Sequence, residues 1–494
     1  MSTAAVTTTA HGYLLVLAIM WPVAGILLAL VVSGRSIERV AYIVLPIGFA
    51  IAAAVVVAVA RGGQSQIYVV GNWAPPLGIA LRADGISAAM MMTTAVVICA
   101  TGVFARGEFV QPVDGPEARA PYVFWILLFS IWSALNALVL GSDLFNLYVA
   151  LELLTFAAVP LVCLKGQKKT IEAALRYMLF ALIGSVLYLL GAVMVYGLYG
   201  TLDIGLLSGR VRAEPATWIA AALLTVGLLA KTALFPLHLW LPPAHAGAPA
   251  PGSAILSALV VKGSFFLIVR IWFDAMPGQL SFAAAQLLAA LGAGAILVGS
   301  VLALRQQRLK LMIAYSTIAQ LGYLFFIFPL AAGVAWSGLA WTGGWTQLFS
   351  HAFAKAAMFM AAGLIAEALG HDRIADLGGI GRKLPITMCA FALSGLSLIG
   401  VPPSGGFVAK WLMLLATINE GQWWWSAVIV AGGLLAGGYI FMVLGRLLSD
   451  PQSPIVIRGA ISRSRELVAL SLAVCAVLLG LVPLQSSDFL QIGR

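Results

Sequence analysis

The sequence predicts an all-α polytopic membrane protein, and its composition and long apolar runs carry this prediction. Of the 494 residues, 62% are hydrophobic and only 9% are charged, whereas soluble proteins carry about 25% charged residues. A membrane-spanning helix takes about 20 mostly apolar residues. About fourteen runs of this kind can be counted, starting near residues 13, 39, 84, 121, 144, 171, 217, 252, 281, 311, 343, 385, 424 and 465.

The same composition excludes several function classes. The net charge is +10, but the basic residues punctuate the apolar runs and form no cluster, so we expect no nucleic-acid partner. The four cysteines lie in or at the ends of apolar runs without CxxC spacing, which argues against a metal or redox centre. We find no nucleotide, quinone or flavin motif and expect no cofactor. The N-terminus lacks a basic n-region, so Tyr13 onward reads as a first span and not as a cleaved signal.

Charge in the loops gives a predicted orientation. If each loop is numbered by the span that it follows, the odd loops carry seventeen lysine and arginine residues, whereas the even loops and the tails carry five. Positive loops stay in the cytoplasm. We therefore expect a bacterial plasma-membrane protein with cytoplasmic odd loops and both termini outside. In the second loop, Gln66 to Asp84 alternates around a Gly-Asn turn and predicts a short extracellular hairpin.

Seven charged residues remain inside the predicted spans. A charge at mid-bilayer costs about 2.5–3.5 kcal/mol on insertion scales, so such residues face protein or water and suggest function. Glu152 lies about nine residues from either end of its span, where it needs a cation, either for function or only for structure. The other six are basic: Arg176, Lys231, Lys262, Arg270, Lys355 and Lys410.

The segment "LLTVGLLAKTALFPLHLWLPPAH" places Lys231 beside a predicted helix break. Pro236 has no N–H, so the carbonyl of Thr232 loses its helical partner. Irregular backbone at membrane depth persists only beside protein or water, which predicts a polar pocket, with a plain proline kink as the alternative. His238 adds a titratable group to this pocket, whereas His245 falls in the following loop and could equally be solvated.

The remaining charged residues differ in what they predict. Lys262 lies mid-span, while Arg270 is near the end of the same span and either functions there or snorkels to the interface. Arg176 follows Glu172 by four residues, which favours a structural pair on one helix face near the cytoplasmic end. In "QLFSHAFAKAAMF", His351 and Lys355 are also four apart. We expect this second pair to pass protons, since both groups can titrate when buried.

A second broken span is predicted in "SLIGVPPSGGFVAKWLML", where Pro402 and Pro403 precede Lys410. The two breaks fall in the seventh and twelfth spans. The breaks are therefore five spans apart. Because five is an odd number, the units that contain them have opposite orientations in the membrane, as in inverted-repeat transporters. We therefore predict three N-terminal spans (1–120), a first repeat of spans 4–8 (121–275), a second repeat of spans 9–13 (276–450) and a C-terminal span (451–494).

These segments resemble the antiporter-like subunits of respiratory complex I and of Mrp-type cation/proton antiporters. "AKTALFPLHLWLPPAHAGAPAPGSAILSALVVKG" is similar to the family's signature over spans 7 and 8, "HAFAKAAMF" to its span 11 motif, and "GVPPSGGFVAK" to its span 12 motif. The resemblance covers nearly the whole chain. "GNWAPPLGIALRADGISAAMMM" looks most like the D-type subunit of Mrp antiporters, although "LPPAHAGAPAP" is closer to complex I and hydrogenase relatives.

The resemblance implies fourteen spans, two inverted five-helix units and a chain of buried titratable groups across the midplane. Glu152 would be the span 5 acid and Lys231 the span 7 lysine that forms a switch with it. Lys262 would bridge to a central link, His351 and Lys355, and Lys410 would be the span 12 site.

The function expected is that of a proton-translocating subunit of a multisubunit Na⁺/H⁺ antiporter, a transporter subunit and not an enzyme. Its partners would be other membrane subunits of a hetero-oligomeric complex, together with protons, monovalent cations and the lipid bilayer. One alternative is a proton-pumping subunit of an NADH:quinone oxidoreductase or membrane-bound hydrogenase, which would count as part of a translocase. A non-conducting assembly scaffold and a stand-alone solute carrier are the other two.

Overall fold

The structure is a computed structural model that describes residues 7–32, 36–109, 119–331, 337–451, 457–458, 461–482 and 488–493. Arg35 and Arg494, two of the loop and tail cations counted above, lie outside the described residues. Among the described residues, twelve helices are long and apolar enough to cross a membrane. These are Tyr13–Val31, Ile37–Gly62, Gly85–Ala105, Arg119–Leu140, Leu144–Val162, Lys168–Tyr199, Pro215–Thr232, Ala250–Ala275, Phe282–Leu304, Leu309–Ala331, Gly338–Leu369 and Trp424–Leu448.

The helices confirm the predicted all-α polytopic membrane fold. Two shorter apolar helices, Pro385–Ile399 and Gly405–Asn419, occupy the place predicted for a broken span 12. A further helix, Arg463–Leu478, occupies the place predicted for span 14. We therefore number the long helices as spans 1–11 and 13, and the remaining two positions as spans 12 and 14. The largest error in a predicted start is at span 11, which begins at Gly338 and not near residue 343.

The predicted hairpin is present and lies beside both described ends of the chain. Strands Gln66–Val69 and Ala80–Ala83 pair antiparallel, and the turn between them has Gly71 and Asn72 at φ of 63° and 60°. The N–H of Thr9 donates to the Ile67 carbonyl at 2.9 Å, and the N–H of Gly85 donates to the Ile492 carbonyl at 3.1 Å. Both described ends of the chain therefore lie on the hairpin side of the molecule.

Span 7 breaks where the sequence predicts it. Its helix ends at Thr232, Ala233 follows with a left-handed φ of 58°, and the short helix Leu241–Gly247 continues the segment. The Ala230 carbonyl accepts from the ring N–H of Trp240 at 2.9 Å and from the backbone N–H of Ala233 at 3.3 Å, so both sides of the break bond the end of the helix. The break thus leaves Lys231 in the last turn of the first half-helix.

Spans 8, 10 and 11 form the centre of the fold. In the most apolar 18-residue stretch of each of these spans, 100%, 89% and 89% of the residues are buried, against 28% for span 1 and 39% for span 13. Span 8 is irregular, because π-helical turns at Leu256–Val260 and Arg270–Ala275 interrupt its α-helix. Span 10 contains a 3₁₀ turn at Tyr323–Phe326. Turns of this kind inside helices are frequent at functional sites, and here they occur in the spans farthest from lipid.

Candidate functional site

The first part of the site is an ion pair between spans 5 and 7. The ammonium of Lys231 donates to Glu152 Oε1 at 2.9 Å and to Thr155 Oγ1 at 3.0 Å. Ser185, on span 6, donates its hydroxyl to the same Glu152 oxygen. The side chains of Lys231 and Glu152 are 5% and 18% exposed, so Lys231 is buried and Glu152 is partly buried beside the helix break.

Lys262 lies in the middle of span 8 and is completely buried. Its ammonium donates to the carbonyl of Ser257 at 2.7 Å, and Ser257 belongs to the π-helical turn that precedes it. The Ser257 hydroxyl in turn bonds Thr317 on span 10 at 2.9 Å. The irregular turn therefore supplies the acceptor for this lysine and connects it to the neighbouring span.

His351 and Lys355 share one face of span 11 in the middle of the molecule. Lys355 donates to the Ile313 carbonyl at 3.0 Å and to the hydroxyl of Ser316 on span 10. His351 is 1% exposed, and neither ring nitrogen has a hydrogen-bond partner among the described residues.

Lys410 lies in the second half-helix of span 12 and reaches back to the first. Its ammonium donates to the carbonyls of Leu398 and Ile399, at 2.5 and 2.9 Å, and lies 4.7 Å from the centre of the Tyr323 ring. The first half-helix ends at Ile399, and the second begins at Gly405 after Pro402 and Pro403.

The two broken spans thus each place a lysine at the C-terminal end of a half-helix. Lys231 is in the last turn of one half-helix, and Lys410 binds the last carbonyls of another. The C-terminus of a helix carries about half a negative charge, which favours a cation there. Discontinuous helices in transporters use their ends in this way at midplane ion sites.

Four predicted supporting features have different outcomes. Pro236 and Pro402–Pro403 lie in the breaks, as expected. His238 is buried with Nδ1 unpartnered among the described residues, and its ring stacks on Phe235 at 5.6 Å. The predicted pair of Glu172 and Arg176 does not form: both side chains are exposed, and no ion pair within 4.0 Å joins these two described residues.

Arg270 does not snorkel, because carboxylates bind it inside the protein. Its guanidinium contacts Asp84 at 2.5 and 2.7 Å and Asp274 at 2.6 Å. Ser87 adds a further contact at 2.7 Å. Asp84 precedes span 3, far away in sequence, so the position of Arg270 near a span end gave no sign of this cluster.

The sequence reading missed the neutral residues that connect the charged ones. Gln347 donates to Gln320 Oε1 at 2.9 Å, and Gln320 donates to the Leu398 carbonyl at 3.1 Å, the same carbonyl that Lys410 binds. Thr155 and Ser185 hold the Glu152–Lys231 pair. The two glutamines could have been found from the sequence, since an amide side chain inside an apolar span is unusual. The hydroxyls of Thr155 and Ser185 could not, because serine and threonine hydroxyls bond helix carbonyls in many spans.

The acceptors around the lysines decide what the site can do. Within the part of the chain that the structure describes, no carboxylate forms an ion pair with Lys262, Lys355 or Lys410. Their partners are carbonyls and a hydroxyl, which accept a hydrogen bond from an ammonium or from a neutral amine. Each of these lysines can therefore be held in either protonation state. The described residues contain no group of histidine, cysteine or acidic side chains that could hold a metal ion.

The chain matches known proteins over most of its length. A family model described as NADH:quinone oxidoreductase/Mrp antiporter, transmembrane, matches residues 141–436. The N-type subunit of the NADH-quinone oxidoreductase of Desulforudis audaxviator is 35% identical over 387 residues, which cover 77% of this chain and 75% of that protein. The D-type subunit of the Na⁺/H⁺ antiporter of Alkalihalophilus pseudofirmus is 29% identical over 82% and 81% of the two chains.

Solved structures share the fold. A chain of the Mrp complex from Dietzia sp. superposes with a TM-score of 0.87 at 24% identity, over 98% of this chain and 97% of that one. A chain of the membrane-bound sulfane sulfur reductase, an archaeal respiratory membrane complex, superposes with a TM-score of 0.85 at 26% identity, over 97% and 96%.

Proposed function

This chain belongs to the NADH:quinone oxidoreductase/Mrp antiporter transmembrane family, and from that membership we propose that it is the proton-translocating membrane subunit of a multisubunit cation/proton antiporter. The observation that carries the proposal is the buried Glu152–Lys231 pair at the break of span 7. Its coupled cation would be Na⁺, by analogy with the D-type antiporter subunits among its relatives. Its partners are other membrane subunits of the complex.

The Glu152–Lys231 pair is proposed to act as a switch. While the two groups are in contact, the carboxylate stabilises the ammonium of Lys231. If a neighbouring subunit draws Glu152 away, Thr155 alone remains of the hydrogen-bond partners of Lys231, and a hydroxyl accepts from an amine as well as from an ammonium. Lys231 can then pass its proton toward Lys262.

From Lys262 the proposed route continues through the centre of the fold to span 12. His351 is the residue proposed to connect it, because an imidazole can accept a proton on one nitrogen and donate from the other. Both of its ring nitrogens are buried without a hydrogen-bond partner among the described residues. Lys355 and Lys410 receive the proton next. The Gln347–Gln320 pair would keep the path polar between span 11 and the break of span 12.

The whole-chain arrangement proposed here follows the sequence prediction. Residues 121–275 and 276–450 would form two inverted five-span repeats, each with one broken span and a lysine at its break. The odd loops would face the cytoplasm of a bacterium, and both termini would lie outside the plasma membrane. The observed position of both described ends beside the hairpin supports an even number of spans.

A second candidate is supported by the 35% identity to a subunit of an NADH-quinone oxidoreductase. In that case redox subunits, and not a sodium gradient, would drive the same proton route. Isolation of the intact complex from native membranes separates the two. NADH:quinone oxidoreductase activity of the isolated complex would favour the redox complex, and Na⁺-dependent proton movement without an electron donor would favour the antiporter.

The test of the proposed function removes each partner of the switch. We expect Glu152→Ala and Lys231→Ala to lower proton transport in inverted vesicles at least about tenfold, with the complex still assembled. Loss of one partner of a buried ion pair can cost about 3–5 kcal/mol, so Glu152→Gln, which keeps the size and an acceptor, serves as a second variant. Matched controls are Glu214→Gln and Lys169→Gln, exposed residues of the same types at the ends of spans.

The other functions make different predictions in the same experiment. Full transport by the Glu152 and Lys231 variants would rule out the switch. Loss of subunit assembly in every variant at these positions, the isosteric Glu152→Gln included, would instead favour the scaffold. Rescue of a transport defect by this subunit expressed alone would favour a stand-alone carrier.

A further inference from the structure

A large basic pocket lies at the loop ends of spans 9, 11 and 13, outside the row of lysines. The cavity measures 960 Å³ and takes its lining from the loop after span 9, the loop after span 11 and the end of span 13. Its charged lining contains three guanidiniums against two carboxylates, those of Asp372 and Asp376. The guanidiniums belong to Arg308, Arg373 and Arg446.

Backbone hydrogen bonds hold two sides of this pocket together. The N–H of Leu309 donates to the Asp372 carbonyl at 2.7 Å, and the N–H of Ile374 donates to the Gln307 carbonyl at 2.9 Å. Arg308 and Arg373 pair as an isolated antiparallel bridge between the two loops. Two arginines from different loops are therefore held opposite each other in the lining of the pocket.

One carboxylate of the pocket lining already forms an ion pair with an arginine of the same pocket. Asp372 is 6% exposed and binds Arg308 Nε at 2.9 Å. Arg373 and Arg446, in contrast, form no ion pair within 4.0 Å with any described carboxylate, and both are exposed. His371 and the side chains of Gln306 and Gln307 add further possible donors. The pocket thus offers two free guanidiniums and several neutral donors to an anion.

An apolar surface continues from the pocket toward the middle of the membrane. Spans 9 and 13 approach each other at Leu304 and Gly438, where a Cβ on the glycine would lie 3.3 Å from the leucine side chain. Beside this contact, Leu297 and Val301 of span 9 and Phe441 of span 13 are 40%, 41% and 57% exposed. Met442 lines the pocket itself.

We propose that this pocket binds the phosphate of an anionic diacyl phospholipid. Arg373 and Arg446 bind the phosphate oxygens, and an acyl chain lies on the exposed apolar residues of spans 9 and 13. Basic pockets between transmembrane helices bind anionic headgroups at the cytoplasmic face, and arginine forks match phosphate oxygens in geometry. The apolar continuation favours a lipid over a soluble anion or a partner protein, because these residues lie within the membrane-spanning helices.

The test compares lipids on the purified full-length chain by native mass spectrometry. Dioleoyl phosphatidylglycerol is added in one arm, dioleoyl phosphatidylcholine with the same chains in the second, and inorganic phosphate in the third. The test variant is Arg373→Gln/Arg446→Gln, which leaves the Arg308–Asp372 pair intact. The control is Lys168→Gln/Lys169→Gln, which removes the same charge beside another odd loop.

We expect phosphatidylglycerol to bind more tightly than the other two probes and the test variant to weaken this binding roughly 30-fold. The control should change it less than about threefold. Equal binding of both dioleoyl lipids, or an unaffected test variant, would overturn the proposal. So would inorganic phosphate binding as tightly as phosphatidylglycerol, or cross-linking of a partner subunit to Arg373 in the intact complex. Thermal unfolding of both variants without lipid checks that neither has lost its fold.

Discussion

Arg270 lies near the end of its span, yet the residue is only 7% exposed, and its guanidinium contacts two carboxylates and a hydroxyl. Asp84 provides both of its oxygens to Arg270 and also accepts from the N–H of Ser87 at 3.0 Å, which caps span 3. One side chain therefore joins the start of span 3 to the end of span 8. Because the guanidinium is buried, the stability of the fold depends on each of the groups that bind it.

We expect Asp84→Asn to destabilise the fold by about 3–5 kcal/mol, because it leaves a buried guanidinium with one carboxylate fewer. Asparagine keeps an oxygen for the cap of span 3, so the loss reports on the ion pair. The measurement is heat-induced loss of folded protein in detergent. Asp450→Asn is the control, since its pair with Arg382 is 82% and 72% exposed and should contribute less than about 1 kcal/mol. Equal losses in the two variants would contradict the assignment.

The same carboxylate predicts a pH dependence. Burial alone would raise the pKa of Asp84, but the charge and hydrogen bonds of Arg270, with help from Arg82 and the Ser87 N–H, hold that pKa below its ordinary value. The stabilisation is therefore present above the unfolded-state pKa of about 3.9 and is lost as the pH falls through it toward the lower folded-state pKa. In heat denaturation, the difference between the wild type and Asp84→Asn should shrink below about pH 4. A constant difference down to pH 3 would show that another group is responsible.

At the scale of helices, glycines bring spans 6 and 7 close enough for the switch to form. A Cβ added at Gly184 would lie 2.6 Å from the Gly227 carbonyl and 3.3 Å from the Lys231 side chain. Ser185, the next residue, bonds Glu152. The close approach of these helices therefore sets the distance between the carboxylate and the lysine.

Gly184→Ala should separate spans 6 and 7 and lower proton transport severalfold, because the Glu152–Lys231 contact then lengthens. Gly197→Ala is a matched control in the same helix, since nothing lies within 4 Å of a Cβ added there, and alanine favours a helix over glycine by about 1 kcal/mol. The measurements are transport in inverted vesicles and the yield of assembled complex. Unchanged transport in Gly184→Ala would show that the switch tolerates movement of these spans.

The breaks and buried lysines were predictable because their causes are local. Pro236 removes a hydrogen bond within its own helix, and a lysine at mid-span is costly wherever the span packs. Partners from distant segments were not predictable, such as Asp84 for Arg270 and Ser316 for Lys355. The prediction of a Glu172–Arg176 pair was wrong although the two residues are neighbours on one helix. Helical spacing allows that pair, but an exposed pair gains too little to fix two long side chains.

At the scale of the whole molecule, loops of the same parity lie together. Odd loops meet one another, as Arg308 pairs with Arg373 across the loops after spans 9 and 11. Even loops do the same: Leu81 bridges to Gly141, and Asp143 bridges to Asp203. These bridges require an even number of crossings between the loops that they join, which agrees with spans that alternate in direction.

The separation of the loops fixes the two faces, and the charge of the loops predicts which face is cytoplasmic. With the four native cysteines replaced by alanine, Lys168→Cys reports on an odd loop and Arg210→Cys on an even loop. A membrane-impermeant maleimide should label Lys168→Cys only in inverted vesicles and Arg210→Cys only in intact cells, because positive loops are retained in the cytoplasm. Permeabilised membranes, in which both should react, control for accessibility of the thiols. The reverse pattern would invert the molecule, placing its termini and hairpin in the cytoplasm and the basic phospholipid pocket outside. Labelling of both positions from one side would contradict the parity of the spans, and with it the opposed orientation of the two broken helices.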